Sequence, residues 1–248
     1  MAIAPSRVAD AVLLANVVFA ALSSRHARFA ESEGRALRYA DAVAPFAALP
    51  SDATEQDWRD LATLARRTGT VALHRMPGDV PDGWATGYHL DVHVMNVFPF
   101  SGAGLTIDDE DPEIVPLTAE DVPDMLDLTV RTEPGPFRDR TIELGGYVGI
   151  RRGGALAAMA GQRFSAPGHD GPGWTEVSAV CTDPAFRGQG LATRLIRAVT
   201  AGIRAQGDEV FLHVLDNNST AIALYERIGF TRLAPVAVTV LSPQQTPR

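Results

Sequence analysis

An apolar run from Val177 to Cys181 passes through a turn, Arg187, Gly188, Gln189 and Gly190, into a helix that starts at Leu191, and this junction constrains the chain more than any other segment. Glycine tolerates left-handed backbone and lets the main chain pass close to a ligand, while the first turn of a helix leaves its N–H groups unpaired. The amides of Gly188, Gln189, Gly190 and Leu191 can therefore converge on one anion, with the positive end of the helix dipole behind them and Arg187 beside them. The plain alternative is an ordinary strand-to-helix turn carrying an exposed arginine.

The residues that follow decide between the two. Leu191, Leu195, Val199 and Ile203 repeat every four positions and lay one apolar stripe along the helix, which Gln206, Gly207 and Asp208 then stop. Val210 to Leu215 reads as a short buried strand, and Asp216 to Ser219 supplies cap chemistry for a second helix over 220–228, closed by Gly229. Phe230 and the alternation Val236, Val238, Val240 predict a last strand, followed by a polar tail containing Pro243 and Pro247.

Arg187-x-x-Gly190-x-Ala192 resembles the acyl-CoA pyrophosphate loop of the GNAT superfamily of N-acetyltransferases, with Ala192 at a position where glycine is commoner. Asn218-x-x-Ala221-x-x-x-Tyr225, continuing to Gly229 and Phe230, resembles the second signature of that family at the family's spacing. The resemblance covers about residues 113–241. It implies an α/β fold of the α+β type: a mixed, mostly antiparallel sheet with helices on both faces and a splayed central strand pair. It also implies acetyl-CoA as co-substrate, and transfer of an acetyl or other acyl group to a primary amine by direct attack in a ternary complex. The strand Thr175 to Thr182 is expected to splay from its neighbour and admit the pantetheine arm, contacted by Val180, Cys181 and Thr182. Arg187, Gly188, Gln189, Gly190, Leu191 and Ala192 would hold the diphosphate, and Asn218 and Ala221 the arm. Tyr225 is the implied proton donor to the leaving thiolate, and the Val180 N–H the donor to the oxyanion. Glu176 matches a position where many members place a general base; an edge carboxylate in solvent is the other reading of it. Alkylamines are mostly protonated near neutrality, so a proton acceptor or a desolvated site is required.

Two other functions fit parts of this pattern. Gly188-x-Gly190 after a strand, with Asp216 ending the next strand, is also the start of an NAD-binding unit, but Thr193 stands at its third glycine and too little chain follows Asp216 for a doubly wound sheet. A non-catalytic acyl-CoA sensor needs the loop but neither Tyr225 nor Glu176.

The formal net charge of −8, with no clustered basic face, argues against nucleic acid as a partner. The single Cys181 excludes an internal disulfide and reads as a buried, inert thiol, and the composition agrees with a cytoplasmic enzyme. Val8 to Leu22 is apolar but interrupted by Asp10 and Asn16, which favours a buried helix over a membrane span or signal peptide. No metal and no membrane partner are expected; a small-molecule or peptide amine is the expected acceptor, and a homodimer is compatible with this reading.

The acidic run Asp108 to Asp111 predicts a linker over 106–112, dividing an N-terminal α/β region, 1–105, from a catalytic region, 113–248. The first region carries helices near 8–23 and 55–66 and strands near 70–75 and 89–97, and is similar in length and order to the degenerate half-domain that precedes the catalytic one in some GNAT relatives. His89 and His93 share a strand face and read as solvated or packed imidazoles. In the second region, Ile114 to Leu117 is a first strand, Thr118 caps a helix through Leu128, and Tyr147–Ile150 and Ala155–Phe164 form a hairpin. The loop Arg131 to Phe137 lies, in that family, over the acceptor site, which makes Glu133 and Phe137 candidate substrate contacts.

Overall fold

In the computed structural model, which describes residues 5–75, 78–96 and 111–244, the chain makes two passes of similar order. The first runs α1 (Pro5–Ala15), α2 (Val17–Leu22), β1 (Ala30–Glu33), β2 (Ala36–Tyr39), β3 (Phe46–Ala48), α3 (Glu55–Ala65), β4 (Val71–Arg75) and β5 (Trp84–Asn96). The second runs β6 (Ile114–Pro116), α4 (Val122–Thr132), β7 (Val148–Arg152), β8 (Ala155–Ala166), β9 (Trp174–Thr182), α5 (Leu191–Ala205), β10 (Glu209–Leu215), α6 (Ser219–Arg227) and β11 (Thr231–Pro243).

The eleven strands among the described residues join one sheet in the order β1-β2-β3-β4-β11-β5-β10-β9-β8-β7-β6. Each pass ends its antiparallel run in one parallel pair bridged by a helix, β3 with β4 across α3 and β9 with β10 across α5. The final strands are exchanged: β5 lies against β10, β11 lies against β4, and the two pair with each other at the middle of the sheet. The two regions of the sequence therefore share one sheet. Most of the expected linker lies outside the described residues, but Asp111 at its end is held: its carboxylate takes both Nε and Nη2 of Arg194, at 2.6 and 2.7 Å.

The sheet curls on itself. Tyr39 on β2 and Phe164 on β8 are seven strand steps apart, roughly 34 Å on a flat sheet, yet their rings stack with centroids 6.0 Å apart. The concave face so formed is filled by Tyr39, Phe46, Phe164, Trp174 and Phe211 together with Leu14, Val17, Val18 and Leu22 of the first two helices. α4 covers the same face further along, through Met125 and Leu128. The opposite face carries α3, through Leu61 and Leu64, and α5 and α6. The expected stripe Leu191, Leu195, Val199, Ile203 is buried at every position, and each such side chain contributes about 1.5–3 kcal/mol.

Polar contacts lock the passes together. Asp208 accepts from Thr175 Oγ1 at 2.7 Å and pairs with Arg25, Arg138 pairs with Asp41 at 2.6 Å, and Thr141 Oγ1 donates to the Val43 carbonyl at 2.7 Å.

Local departures from the sequence reading have local causes. The apolar N-terminal stretch is two helices rather than one, broken at Asn16, whose side chain donates to the Leu49 carbonyl at 2.9 Å instead of continuing a helical surface. β11 runs on through Pro243, which had read as tail, because β5 supplies a partner as far as Trp84. No helix among the described residues is long and apolar enough to cross a membrane.

Candidate functional site

β9 and β10 pair through only three positions, Trp174 with Glu209, Thr175 with Val210 and Glu176 with Phe211, and then part. On its other side β9 stays bonded to β8, but with an extra residue inserted between Ser178 and Cys181. Ala179 there has φ +52°, the left-handed region that a residue with a Cβ seldom adopts. The parted strands form a fork: Ser178 and Val180 are partly exposed on one arm, and Val180 packs towards the α5 and α6 side. Cys181 is buried on the opposite side, and burial pushes its thiol up to about 11, which makes it inert at neutrality. Thr182 Oγ1 is buried without a hydrogen-bond partner.

The glycine turn follows at the end of that arm. Pro184–Phe186 form a single 3₁₀ turn capped by the Asp183 side chain, which accepts from the Ala185 amide at 2.8 Å and is pinned by Arg131. Gly188 and Gly190 have φ of +79° and +75°, and a Cβ on either would meet no atom within 4 Å. Conformation and open approach, not crowding, therefore call for glycine here. Gly188, Gln189 and Gly190 are exposed, and α5 begins at buried Leu191 with no side-chain cap. Its first bond at this end is Arg194 N–H to the Gly190 carbonyl at 3.2 Å, so the amides of Leu191, Ala192 and Thr193 precede the helical ladder. Arg187 is exposed, its Nε 3.4 Å from the Thr182 carbonyl. Arg194, one turn into the helix, is already committed to Asp111 and Glu113.

Asn218 caps α6, its Oδ1 accepting from the Ala221 amide at 3.1 Å; this uses one oxygen of an exposed side chain. Tyr225, one face along, is buried against Phe230 and the α5 side. Burial first, and the negative charge of Glu176 second, push its phenol up to about 12, so it stays protonated at neutrality.

Glu176 sits at the last paired position before the fork, and its surroundings differ from the exposed edge that one reading of the sequence gave. It is 1% exposed. Arg163 donates Nε to Oε2 at 2.8 Å and Nη2 to Oε1 at 2.6 Å, the Phe164 amide reaches Oε2 at 3.3 Å, and His213 Nδ1 lies 2.7 Å from Oε1. Burial alone would raise this carboxyl, but the Arg163 charge and then His213 outweigh it and hold the group well below the usual carboxylate range. A carboxylate so held is a poor direct proton acceptor.

Of the two acceptor candidates, Phe137 packs edge-on against Tyr147 with centroids 5.6 Å apart, beside Met159 and Cys181. Glu133 ends α4 in left-handed backbone, φ 47°, and stays exposed. Tyr147 itself is buried, with a hydroxyl that has no partner. His89 and His93 do not act together: His89 reaches Thr239 at 2.8 Å, and His93 meets Asp216 at 2.6 Å.

Sequence reasoning passed over Arg163, His74, His213 and Tyr147. The signal was present: Arg163, His74 and His213 each stand inside an apolar strand run, where a titratable group is retained only with partners. Among the described residues no group of three or more His, Cys, Asp or Glu side chains is arranged to hold a metal ion.

Comparison with known proteins bears on the same segment. The profile of the FR47-like protein family matches residues 147–238. The N-alpha-acetyltransferase RimI of Mycobacterium tuberculosis is 40% identical over 87 residues, which cover 35% of this chain and 52% of that protein. The mycothiol acetyltransferase of Thermobispora bispora is 40% identical over 90 residues, 35% of this chain and 30% of that protein. The matched stretch thus spans about half or less of these curated relatives. A crystal structure of a putative acetyltransferase from the GNAT family from Novosphingobium aromaticivorans superposes with a TM-score of 0.81 and 34% identity, covering 94% of this chain and 99% of that one.

Proposed function

This chain belongs to the GNAT family of acetyltransferases, and we propose that it transfers an acetyl group from acetyl-CoA to a primary amine by direct attack within a ternary complex. The observation that carries the reading is the exposed turn at Gly188 and Gly190, both left-handed, opening an uncapped helix at the mouth of the strand fork. Backbone amides in that arrangement suit a diphosphate, with Arg187 free to swing onto it.

The remaining roles follow from the chemistry. A thioester is already activated, so the protein must chiefly bring the acyl carbon to an uncharged amine. The arm of the co-substrate lies in the fork against Val180, Cys181 and Thr182, with Asn218 and Ala221 across from it. Val180 falls at the bulge beside Ala179, between the paired positions Ser178 and Cys181, and its amide donates to the oxyanion formed on attack. Tyr225, protonated at neutrality, donates to the departing thiolate. Glu176 acts from behind the reacting atoms, because Arg163 and His213 occupy its oxygens. The acceptor enters beside Phe137 and Glu133, whose loop varies freely on such folds. The first pass of the chain, with a β3-α3-β4 unit that parallels β9-α5-β10, serves as a degenerate half of the same kind: the start of α3 is capped by Thr54 and Asp57, so its own side chains fill the place an anion would take.

Thermal-shift measurement with acetyl-CoA, CoA and NAD is the first test, with stabilisation by the first two and none by NAD expected. Thiol release with a panel of benzylamine, an amino-acid amide and a short peptide then separates an enzyme from an acyl-CoA sensor. Stabilisation by NAD alone, or binding of acetyl-CoA without amine-dependent thiol release, would overturn the reading.

A further inference from the structure

Four side chains from four strands meet on the concave face where β9 and β10 part. Arg163 (β8) grips Glu176 (β9), Glu176 faces Nδ1 of His213 (β10), and Nε2 of His213 lies 3.0 Å from Nε2 of His74 (β4). The two imidazoles cross edge to face, with centroids 4.7 Å apart. β4 and β10 are separated in the sheet by β11 and β5, so only the curl brings these rings together.

The proton positions follow from the donor inventory. Glu176, held ionised by Arg163, can only accept, so His213 Nδ1 carries a hydrogen and donates it. The lone pair of a neutral His213 is then on Nε2, and His74 donates its Nε2–H to it. His74 is left with a lone pair on Nδ1, and that atom is buried with no partner. Burial holds the His74 imidazole well below its ordinary value, so the pair stays neutral as it stands, joined nitrogen to nitrogen, with one free lone pair on His74 Nδ1 and an ionised carboxylate at its far end.

We propose that the His213–His74 pair, oriented by Glu176, receives the proton released by the amine during acyl transfer, with Glu176 as a positioning residue. This rests on the acyltransferase reading of the fork. As the amine nitrogen bonds to the acyl carbon, its N–H bond breaks and the proton passes to the imidazole pair. The C–S electron pair leaves with the thiolate, which takes the phenolic proton of Tyr225, and the imidazolium proton is then returned to Tyr225.

The neighbouring groups offer no rival acceptor. The charged groups next to the pair are Glu176 and Arg163, and the phenols of Tyr39 from β2, Tyr147 just before β7 and Tyr225 from α6 lie near enough to feel the Glu176 charge; Phe164 and Phe211 flank the His213 ring at 6.1 and 5.5 Å. Burial pushes all three phenols up, and Arg163 holds Glu176 down. Arg163 and Glu176 cancel, so a proton on the imidazoles is the one unbalanced charge of the cluster.

The test uses the full chain with His213→Asn, which keeps an N–H for Glu176 but takes up no proton, and follows kcat against pH with the best amine of the panel above while titration calorimetry gives acetyl-CoA affinity. The wild type should show an acid limb in kcat; in the variant a loss of about 10²-fold in kcat, disappearance of that limb, and acetyl-CoA affinity within about twofold are expected. A folded variant that keeps the acid limb and at least a third of wild-type kcat overturns the proposal. Should His213→Asn fail to fold, His74→Asn is read in the same way, and an unmoved acid limb there overturns it equally. Absence of acetyl-CoA binding by the wild type would instead remove the acyltransferase reading itself, and this proposal with it.

Discussion

Arg163 and Glu176 form a two-point ion pair at 2.8 and 2.6 Å, closed over by Phe164 and Phe46, whose ring centroids lie 4.7 and 5.1 Å from the Arg163 guanidinium carbon. Buried charge is tolerated only while both partners remain. Arg163→Met should destabilise the protein by about 3–5 kcal/mol, because an uncompensated carboxylate stays behind. The double variant Arg163→Met, Glu176→Gln should recover part of that loss in urea unfolding. Equal stability of the single and double variants would mean that the pair is not coupled.

The same pair sets an acid limit to stability. Arg163 holds the Glu176 carboxyl well below the value of about 4.3 that it takes in the unfolded chain, so on acidification the unfolded state takes up the proton first. Its contribution is complete above roughly pH 5 and is lost as pH falls towards the folded value. The difference in unfolding free energy between wild type and Glu176→Gln should stay constant from pH 8 to about 5 and shrink below it. A difference that grows on acidification would contradict the assignment of an ionised Glu176.

Tyr225→Phe removes a hydroxyl and little volume. Turnover should fall about 10²-fold with acetyl-CoA affinity unchanged, since the phenol acts on the departing thiolate and not on the diphosphate. Stopped-assay kcat and calorimetric Kd separate the two, and unchanged turnover would take Tyr225 out of the chemistry.

The shared sheet makes a prediction about cooperativity. Because β5 of the first pass lies between β10 and β11 of the second, deletion of residues 1–96 would strip β11 of both its partners and leave β10 only its three-position pairing with β9, and should yield no soluble folded product. The intact chain should unfold in urea as one transition by fluorescence and circular dichroism together. Two separated transitions would show that the passes fold independently.

How much of this was legible in the sequence depended on distance along the chain. The glycine turn, the stripe from Leu191 to Ile203 and the cap at Asn218 are local, and the structure forms each of them. Ala30–Glu33 and Phe46–Ala48 escaped notice because a four-residue polar strand and a three-residue apolar one carry no period; their partners, not their composition, make them strands. The exchange of β5 and β11 and the contact of His74 with His213 across two intervening strands exist only once the sheet has curled, and nothing in a one-dimensional pattern encodes that closure. Glu176 shows the mixture: its position at the fork could be read, but its role depends on Arg163, thirteen residues earlier and across a bulged pairing.

The most direct measurement is acetyl-CoA binding to Gly190→Asp by titration calorimetry, beside Gly190→Ala as a control for backbone strain. At φ +75° either side chain costs about 1 kcal/mol, but only aspartate sets a negative charge where the diphosphate would lie. Loss of detectable binding by the aspartate variant, with a folded protein and measurable binding by the alanine variant, is the expected result. Binding of acetyl-CoA by Gly190→Asp with wild-type affinity would contradict the assignment of this turn.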